Sequence, residues 1–256
     1  MKRIVTPLIL ALSLLTIVPV ARRLPTRIRP VDQGRSVVCY PLVGLLIGVL
    51  LVLAEAVLRG AAPLLGAALL LAVWVGVTGA LHLDGLADCV DAGCAGHGDA
   101  SRILSVMKDP GAGPMAVATV AIVLLIKFAA LATLLQHSGA IVGLLLSVPM
   151  VARAAAAALL ATTAYRRDEG IARDQAATRP RGAIALVIAA VVVAGGVALP
   201  LRLWTLMVLL AGVIVWSWRR IWHVRIGGYT GDVAGALIEL VEAATLVAAA
   251  WGLPWQ

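Results

Sequence analysis

Charged side chains are scarce in this chain of 256 residues, where Asp, Glu, Lys and Arg together make up 13%. In soluble domains roughly a quarter of the residues are charged. In this chain 62% of residues are hydrophobic, and the mean hydropathy is +1.02. This composition excludes an ordinary soluble domain. Several apolar runs reach the roughly 20 residues that cross a hydrocarbon core. We therefore predict an all-α, polytopic transmembrane helical bundle, organised as a single integral membrane domain over residues 1–256.

Cysteine is also scarce, with only Cys39, Cys89 and Cys94. Three thiols exclude a disulfide framework of the kind that stabilises small secreted domains. A zinc site formed by Cys89 and Cys94 with His82 and His97 is disfavoured, because this spacing fits no common structural pattern. We interpret the cysteines as small hydrophobic residues.

The apolar runs predict about seven transmembrane helices and one shorter N-terminal segment. The spans are expected at about 37–58, 62–83, 114–135, 140–161, 183–200, 203–218 and 233–253. Residues 4–20 have basic residues on both sides, so we expect them to form a re-entrant or interfacial segment. The first twenty residues resemble a signal peptide, but "VPVARRLP" is a poor cleavage site, and the segment is expected to remain in the protein.

Negative charge is the scarcer sign, with 13 acidic against 21 basic residues. Seventeen basic residues lie in five stretches, which are 1–3, 21–36, 84–113, 165–182 and 219–232. The connections expected on the opposite side contain only Arg59 and Arg202. Basic loops of membrane proteins stay in the cytoplasm. The sequence therefore predicts a multi-pass protein of the cell (inner) membrane, with its active site on the cytosolic face and its C-terminus outside.

Three acidic residues share one face of a predicted helix at the end of the second span. Asp84, Asp88 and Asp91 stand at i, i+4 and i+7 in "HLDGLADCVDAGC", which places their carboxylates on one side of a helix. They repel one another unless a cation lies between them, and oxygen ligands of this kind select Mg²⁺, which also binds substrate phosphates. We predict that this acidic trio is a Mg²⁺ site; a solvated helix end with incidental charge is the alternative.

A second acidic cluster lies in "GGYTGDVAGALIELVE", residues 227–242. Asp232 and Glu239 fall near one helical face and are predicted as further metal ligands, with Glu242 on the same face. A buried carboxylate needs a metal or a basic partner. Arg153, inside a predicted span, is the expected partner of Glu239 or Glu242, and extension of its side chain to the membrane interface is the alternative. The preceding loop could offer backbone N–H groups to phosphate, which makes its members predicted substrate-binding residues: Gly227, Gly228, Thr230 and Gly231.

Basic groups near the acidic trio complete a predicted diphosphate site. Lys108 is expected to neutralise a diphosphate as a point charge, and Arg102 is a second cation in the same segment; ordinary positive-inside charge is the alternative. The basic stretch 165–174 is a further candidate for this site, and a solvated loop is the favoured interpretation of it. His82 is a candidate general base because an unperturbed imidazole titrates near pH 6.5, although two residues before Asp84 it points away from the face of the trio.

The motifs "HLDGLADCVDA", "MKDPGAG" and "GGYTGDVAGALIELVE" resemble those of the cobalamin synthase family, the adenosylcobinamide-GDP ribazoletransferases. "LTIVPV" and "RSVVCYPLVGLLIG" are similar to further family segments, so the resemblance covers nearly the whole chain. The resemblance implies transfer of the adenosylcobinamide-phosphate group from adenosylcobinamide-GDP to α-ribazole, or to its 5′-phosphate. Mg²⁺ is the implied cofactor, and GMP is the implied second product. Residues and resemblance together assign Asp84, Asp88, Lys108 and His82 to catalysis, and Asp109 to substrate binding.

The expected partners are these two substrates and the lipid bilayer, with a second copy or other corrinoid-assembly enzymes as further candidates and no nucleic acid. Two other classes remain as alternatives. A CDP-alcohol phosphotransferase needs Gly after its second Asp, whereas Ala92 follows Asp91 here, and a prenyltransferase typically has Asn before its first Asp. A cation-coupled transporter would open to both faces, which the one-sided charge map disfavours.

Overall fold

The computed structural model describes residues 2–95, 98–109, 111–136, 141–167 and 171–252. These ranges form twelve α-helices: α1 (Lys2–Leu15), α2 (Pro30–Ser36), α3 (Tyr40–Val57), α4 (Pro63–Thr78), α5 (Leu81–Ala95), α6 (Ala100–Val106), α7 (Pro114–Leu135), α8 (Ile141–Thr162), α9 (Ile171–Thr178), α10 (Arg181–Ala198), α11 (Leu201–Ile226) and α12 (Gly231–Gly252). Within these ranges there is no β-strand, only one isolated bridge between Tyr165 and Tyr229. The all-α prediction is confirmed.

Six helical segments among the described residues are long and apolar enough to cross a membrane, and α4 with α5 makes a seventh if this bent pair is one span. The six are Pro30–Val57, which includes α2 and α3, and the helices α7, α8, α10, α11 and α12. The predicted polytopic bundle of about seven spans is therefore confirmed. α11 extends eight residues beyond the predicted end at 218, and Trp222 and Ile226 are buried in that extension.

The described part of the N-terminal segment, which was predicted to be re-entrant or interfacial, forms the single helix α1. α1 has 14 residues, which is about 21 Å at 1.5 Å per residue and too short for a hydrocarbon core of roughly 30 Å. Leu10, Ala11 and Leu15 are buried, where α1 packs against α2 and α3. This packed face explains why the segment is helical although it does not span.

The predicted span over 62–83 is wrong in its last residues. α4 ends at Thr78, Gly79 and Ala80 have φ values of +60° and +56°, and α5 leaves at 84° to α4. Left-handed backbone ends a helix, and glycine adopts it most easily, so Gly79 provides the stop. The acidic trio consequently lies on a separate helix, which packs against α12.

α8 and α12 form the centre of the bundle, because 83% and 67% of their apolar windows are buried. α3 runs antiparallel to α8, with Gly44 against Pro149 and Gly48 against Leu145. A Cβ at these two glycines would meet the facing carbonyl oxygens at 2.4 and 2.6 Å, so only glycine permits this approach. Pro149 has no N–H, which frees the Leu145 carbonyl that faces Gly48.

The two ends of the bundle differ. At one end lie the first residues of α7, α10 and α12 and the last residues of α4, α8 and α11. The shorter helices α5, α6 and α9 connect these helices at the same end. At the opposite end the connections include the short turns 58–62 and 199–200. We call the first of these the charged end, because it contains the basic stretches from 21–36 onward that were predicted to be cytosolic.

Candidate active site

At the charged end, α5 crosses the start of α12 in backbone contact. A Cβ on Gly85 would lie 2.8 Å from the carbonyl oxygen of Asp232, and one on Gly235 would lie 3.3 Å from the Cα of His82. The two glycines therefore remove side chains at the point of crossing. As a result, Asp232 lies beside the acidic trio although the two motifs are far apart in sequence.

Four carboxylates form the centre of this site. Asp84 is exposed, whereas Asp88, Asp91 and Asp232 are half-buried. Asp84, Asp91 and Asp232 are all close enough to Asp88 to act on its charge. Because like charges at this range oppose one another, the arrangement is one that a cation stabilises.

The carboxylates differ in how many oxygen atoms are free. The backbone N–H of Gly113 donates to Asp91 at 2.5 Å, which holds the loop before α7 against α5. Asp84 and Asp88 have no hydrogen-bond or ion-pair partner within the described part of the chain. These two, one helical turn apart, are therefore the carboxylates best able to accept an external ligand.

Arg167 belongs to the site, although the stretch 165–174 was interpreted as a solvated loop, and that interpretation is wrong for this residue. Its guanidinium donates to Asp232 at 2.6 Å and to the Met107 carbonyl at 3.3 Å. The Thr230 hydroxyl also donates to Asp232, at 3.2 Å. Arg167 thus connects the segment after α8 to α12 and to the end of α6. The sequence carries no signal for this pair because 65 residues separate its members.

The glycine-rich loop before α12 pairs with the segment that precedes Arg167. The Tyr229 N–H donates to the Ala164 carbonyl at 2.9 Å, and a Cβ on Gly228 would lie 2.1 Å from the same oxygen. Gly227 has φ +75° at the end of α11. Chain pairing and helix termination therefore account for these two glycines, whereas open space surrounds Gly231. Phosphate binding by this loop stays a prediction.

Two tyrosines at this pairing are poor candidates for a base. Their rings meet edge to face with centroids 5.4 Å apart. Burial raises the pKa of the Tyr229 phenol. It also raises the pKa of the Tyr165 phenol, which is less completely buried. Both phenols are therefore neutral at physiological pH, and their rings pack against each other.

The predicted basic residues lie at the rim of the site. The side chains of Lys108, Asp109 and Arg102 are exposed, and no contact in the described ranges joins Lys108 or Arg102 to the four carboxylates. Lys108 directly follows Met107, whose carbonyl binds Arg167, so its backbone is held next to the cluster. Asp109 accepts a hydrogen bond from the backbone two residues later at 3.1 Å and shapes the turn.

Glu239 lies away from the four carboxylates, in a buried charge network. Lys127 Nζ is 2.9 Å from Glu239 and 2.5 Å from Glu242, and Arg153 also donates to Glu242. Of the two expected partners of Arg153, Glu239 and Glu242, the structure pairs it with Glu242. The structure does not bring Glu239 to Asp232 and the trio; its carboxylate neutralises Lys127 instead.

Lys127 and His82 complete this network. No feature around Lys127 indicated a partner, because its partners are 112 and 115 residues away in the chain. His82 is buried, with Nδ1 3.5 Å from Arg153 Nη2. The imidazole thus faces a guanidinium in the interior, and its role as a general base stays a prediction.

No three His, Cys, Asp or Glu side chains in the described ranges are grouped so that they could hold a metal ion by themselves. Mg²⁺ is commonly bound by one or two carboxylates with substrate phosphates as remaining ligands, and the free oxygens of Asp84 and Asp88 fit that mode. For zinc, Cys89 is buried while Cys94 is exposed, and His97 lies outside the described residues.

These features define a class of protein: a polytopic helical membrane protein with carboxylates and basic side chains gathered at one end. Such a combination suits metal-assisted chemistry on phosphate compounds. The chain belongs to the cobalamin-5-phosphate synthase family, which it matches over residues 7–250, so the predicted family is confirmed.

Several relatives are similar over nearly their whole length. The adenosylcobinamide-GDP ribazoletransferase of Stutzerimonas stutzeri (strain A1501) is 49% identical over 241 residues, which cover 94% of this chain and 96% of the relative. The protein of the same name from Pseudomonas aeruginosa (strain PAO1) is 47% identical over 251 residues, 98% of this chain and 100% of the relative. The protein of the same name from Pseudomonas fluorescens (strain Pf0-1) is 47% identical over 243 residues, which cover 94% of this chain and 97% of the relative. No solved structure matches the chain with statistical significance.

Proposed function

We propose that this membrane protein is an adenosylcobinamide-GDP ribazoletransferase, which attaches the lower ligand in vitamin B12 biosynthesis. A ribose hydroxyl of α-ribazole, or of its 5′-phosphate, attacks the phosphorus next to the cobinamide, and GMP leaves. The observation that carries this proposal is the contact of Gly85 with Asp232, which joins two acidic motifs in a chain whose full-length relatives bear that name.

Mg²⁺ is the proposed cofactor, held by Asp84 and Asp88 together with phosphate oxygens of the substrate. When bound, it neutralises the diphosphate and stabilises the departing phosphate. The direction of the two carboxylates is set by α5, which α12 holds in place through the crossing at Gly85. Asp91 keeps the loop before α7 against the site through the Gly113 N–H.

Arg167 and Lys108 are proposed to bind the diphosphate from the basic side. Arg167 Nε is buried without a hydrogen-bond partner in the described chain, so the guanidinium retains donors for a phosphate oxygen. Lys108 is exposed on the loop next to Arg167 and can reach the same group as a point charge. Asp232, which lies beside the acidic trio and binds Arg167, would help to hold the attacking and leaving oxygens in line.

We place the charged end of the bundle in the cytoplasm, on the basis of the seventeen-to-two distribution of basic residues and the positive-inside rule. Single cysteines can be introduced near Arg59, Arg202 and Arg173 in a chain whose native cysteines are replaced. An impermeant thiol reagent added to intact cells should label the first two positions and leave the third unlabelled until the cells are permeabilised. Labelling near Arg173 in intact cells would show that the charged end faces the outside, contrary to this assignment.

The activity can be tested with purified protein in detergent, Mg²⁺, adenosylcobinamide-GDP and α-ribazole, by measuring GMP. Parallel reactions with CDP-diacylglycerol and an alcohol, and with a prenyl diphosphate, test the other transferase classes, which membership of this family does not favour. EDTA should stop GMP release, and added Mg²⁺ should restore it. Folded protein that turns over one of the parallel substrates and forms no GMP would reject the proposal.

A further inference from the structure

A cavity with a volume of about 230 Å³ lies beside Asp232, between α1, α5, α8, α9 and α12. Its walls are largely apolar, with Leu15, Leu160 and Ile238 among the lining side chains. A single water needs only about 10–15 Å³ of such space. The cavity therefore has room for an organic ring system next to the four carboxylates.

Two buried polar atoms in the cavity walls have no hydrogen-bond partner within the described part of the chain, His82 Nε2 and Tyr229 Oη. These side chains are 3% and 1% exposed, and buried polar atoms are normally paired. Nδ1 of His82 faces Arg153, whose guanidinium can only donate, so Nδ1 accepts and Nε2 carries the hydrogen. The cavity thus presents a buried N–H donor that no other group in the described ranges uses.

The chemistry of these walls selects among the parts of the two substrates. A guanine base carries several N–H groups that need acceptors, whereas the two unpaired polar groups of these walls, the imidazole N–H of His82 and the phenol hydroxyl of Tyr229, can both donate. A corrin ring is too large for this volume. The methylated benzimidazole base of ribazole is planar and apolar, has no donor, and carries one free ring nitrogen as acceptor.

We propose that this cavity binds the base of the ribazole substrate, with His82 Nε2–H donating to the free ring nitrogen and the ribose directed past Gly231 toward Asp232. The inference rests on the proposed function, since it names the binding site of that reaction's acceptor. It assigns His82 to substrate binding through Nε2 and leaves it no part as the base.

Binding of α-ribazole alone, measured by titration calorimetry on purified protein in detergent, tests the cavity directly. Ala172→Leu fills it from α9, where Ala172 lines the wall, and should weaken ribazole binding by about tenfold or more. Ala177→Leu on the same helix is exposed and outside the wall, so it should bind ribazole as the unchanged protein does. The KM for adenosylcobinamide-GDP should stay within about twofold in both variants.

The hydrogen bond has its own test. An indole riboside, in which C–H replaces the ring nitrogen, should bind the unchanged protein about tenfold more weakly than the matching benzimidazole riboside, the loss expected for one hydrogen bond. His82→Leu should bind the two ribosides equally. Equal binding of both by the unchanged protein would overturn the role of His82, and Ala172→Leu remains informative if His82→Leu fails to fold.

The two proposals can fail separately. If the unchanged protein releases GMP but Ala172→Leu raises only the KM for adenosylcobinamide-GDP, the cavity assignment is wrong and the activity stands. If the unchanged protein binds ribazole, Ala172→Leu prevents this, and no GMP forms, the cavity assignment stands and the proposed reaction is wrong.

Discussion

Gly85 in α5 contacts the backbone of Asp232 at the start of α12: a Cβ on Gly85 would lie 2.8 Å from the carbonyl oxygen and 3.0 Å from the Cα. These are backbone atoms, which cannot rotate away as the end of a side chain can. The spacing of the two helices that carry the acidic residues therefore depends on the missing side chain at this position.

We expect Gly85→Ala to push α5 away from α12, lowering GMP release by about tenfold or more and stability by about 1–3 kcal/mol, the usual effect of overpacking. Steady-state kinetics and thermal melting in detergent measure the two effects. Gly76→Ala in α4 is the matched control, because open space surrounds Gly76. Unchanged kinetics in Gly85→Ala would show that the contact does not position the site.

Asp84→Asn and Asp88→Asn should each reduce turnover by at least about a hundredfold, the effect of losing one electrostatic contact to a transition state, while expression and melting stay near normal. Asp99→Asn is the control, since Asp99 caps α6 through the Ser101 N–H and hydroxyl and asparagine caps equally well. Full activity in either Asp84 or Asp88 variant would remove that residue from the proposed Mg²⁺ site.

Arg167→Lys should lower kcat/KM by roughly 10- to 100-fold, because one ammonium cannot bind Asp232, the Met107 carbonyl and a phosphate together; the loss of a charged hydrogen bond is about 1.5–3 kcal/mol. The melting temperature should change little, since both partners are partly exposed. Arg35→Lys, an exposed position on α2, should leave kinetics unaltered. Comparable kinetic losses in both variants would show that the loss at Arg167 does not come from this ion pair.

Lys127→Met should destabilise the protein by about 3–5 kcal/mol, because it leaves Glu239 unpaired and Glu242 with Arg153 alone in the interior. Adding Glu239→Gln to the same chain should recover much of this loss. Arg59→Ala removes a surface pair with Glu55 whose arginine side chain is 67% exposed, and should cost less than about 1 kcal/mol. Equal effects of Lys127→Met and Arg59→Ala on unfolding in detergent would contradict the buried network.

Tyr229 predicts a dependence of stability on alkaline pH. Burial raises the pKa of its phenol in the folded protein, so the stability it contributes is complete below the unfolded value near 10 and falls as pH rises above it, by up to about 1.4 kcal/mol per pH unit. Thermal melting between about pH 9 and pH 11 should therefore decline less steeply in Tyr229→Phe than in the unchanged protein. Parallel curves for the two proteins would show that this phenol ionises freely.

The sequence by itself determined the membrane bundle, its approximate spans and the positions of the motifs. Apolar runs of spanning length admit few alternatives in a bilayer, because each span must satisfy its own backbone hydrogen bonds. The spacing of Asp84, Asp88 and Asp91 likewise identified one helical face, since that is a local periodicity. A partner for Arg153 at Glu239 or Glu242 was also expected, because a buried charge requires one, and the structure selects Glu242.

Only the tertiary structure decided which distant groups meet. The break at Gly79 turns α5 by 84° onto α12, and from this crossing follow the approach of Asp232 to the trio and the place of Arg167. Glu239 shares a helix with Asp232, yet burial brings it to Lys127, on another helix. Partners of this kind are selected by packing and by neutralisation of charge across the bundle, which local sequence periodicity does not encode.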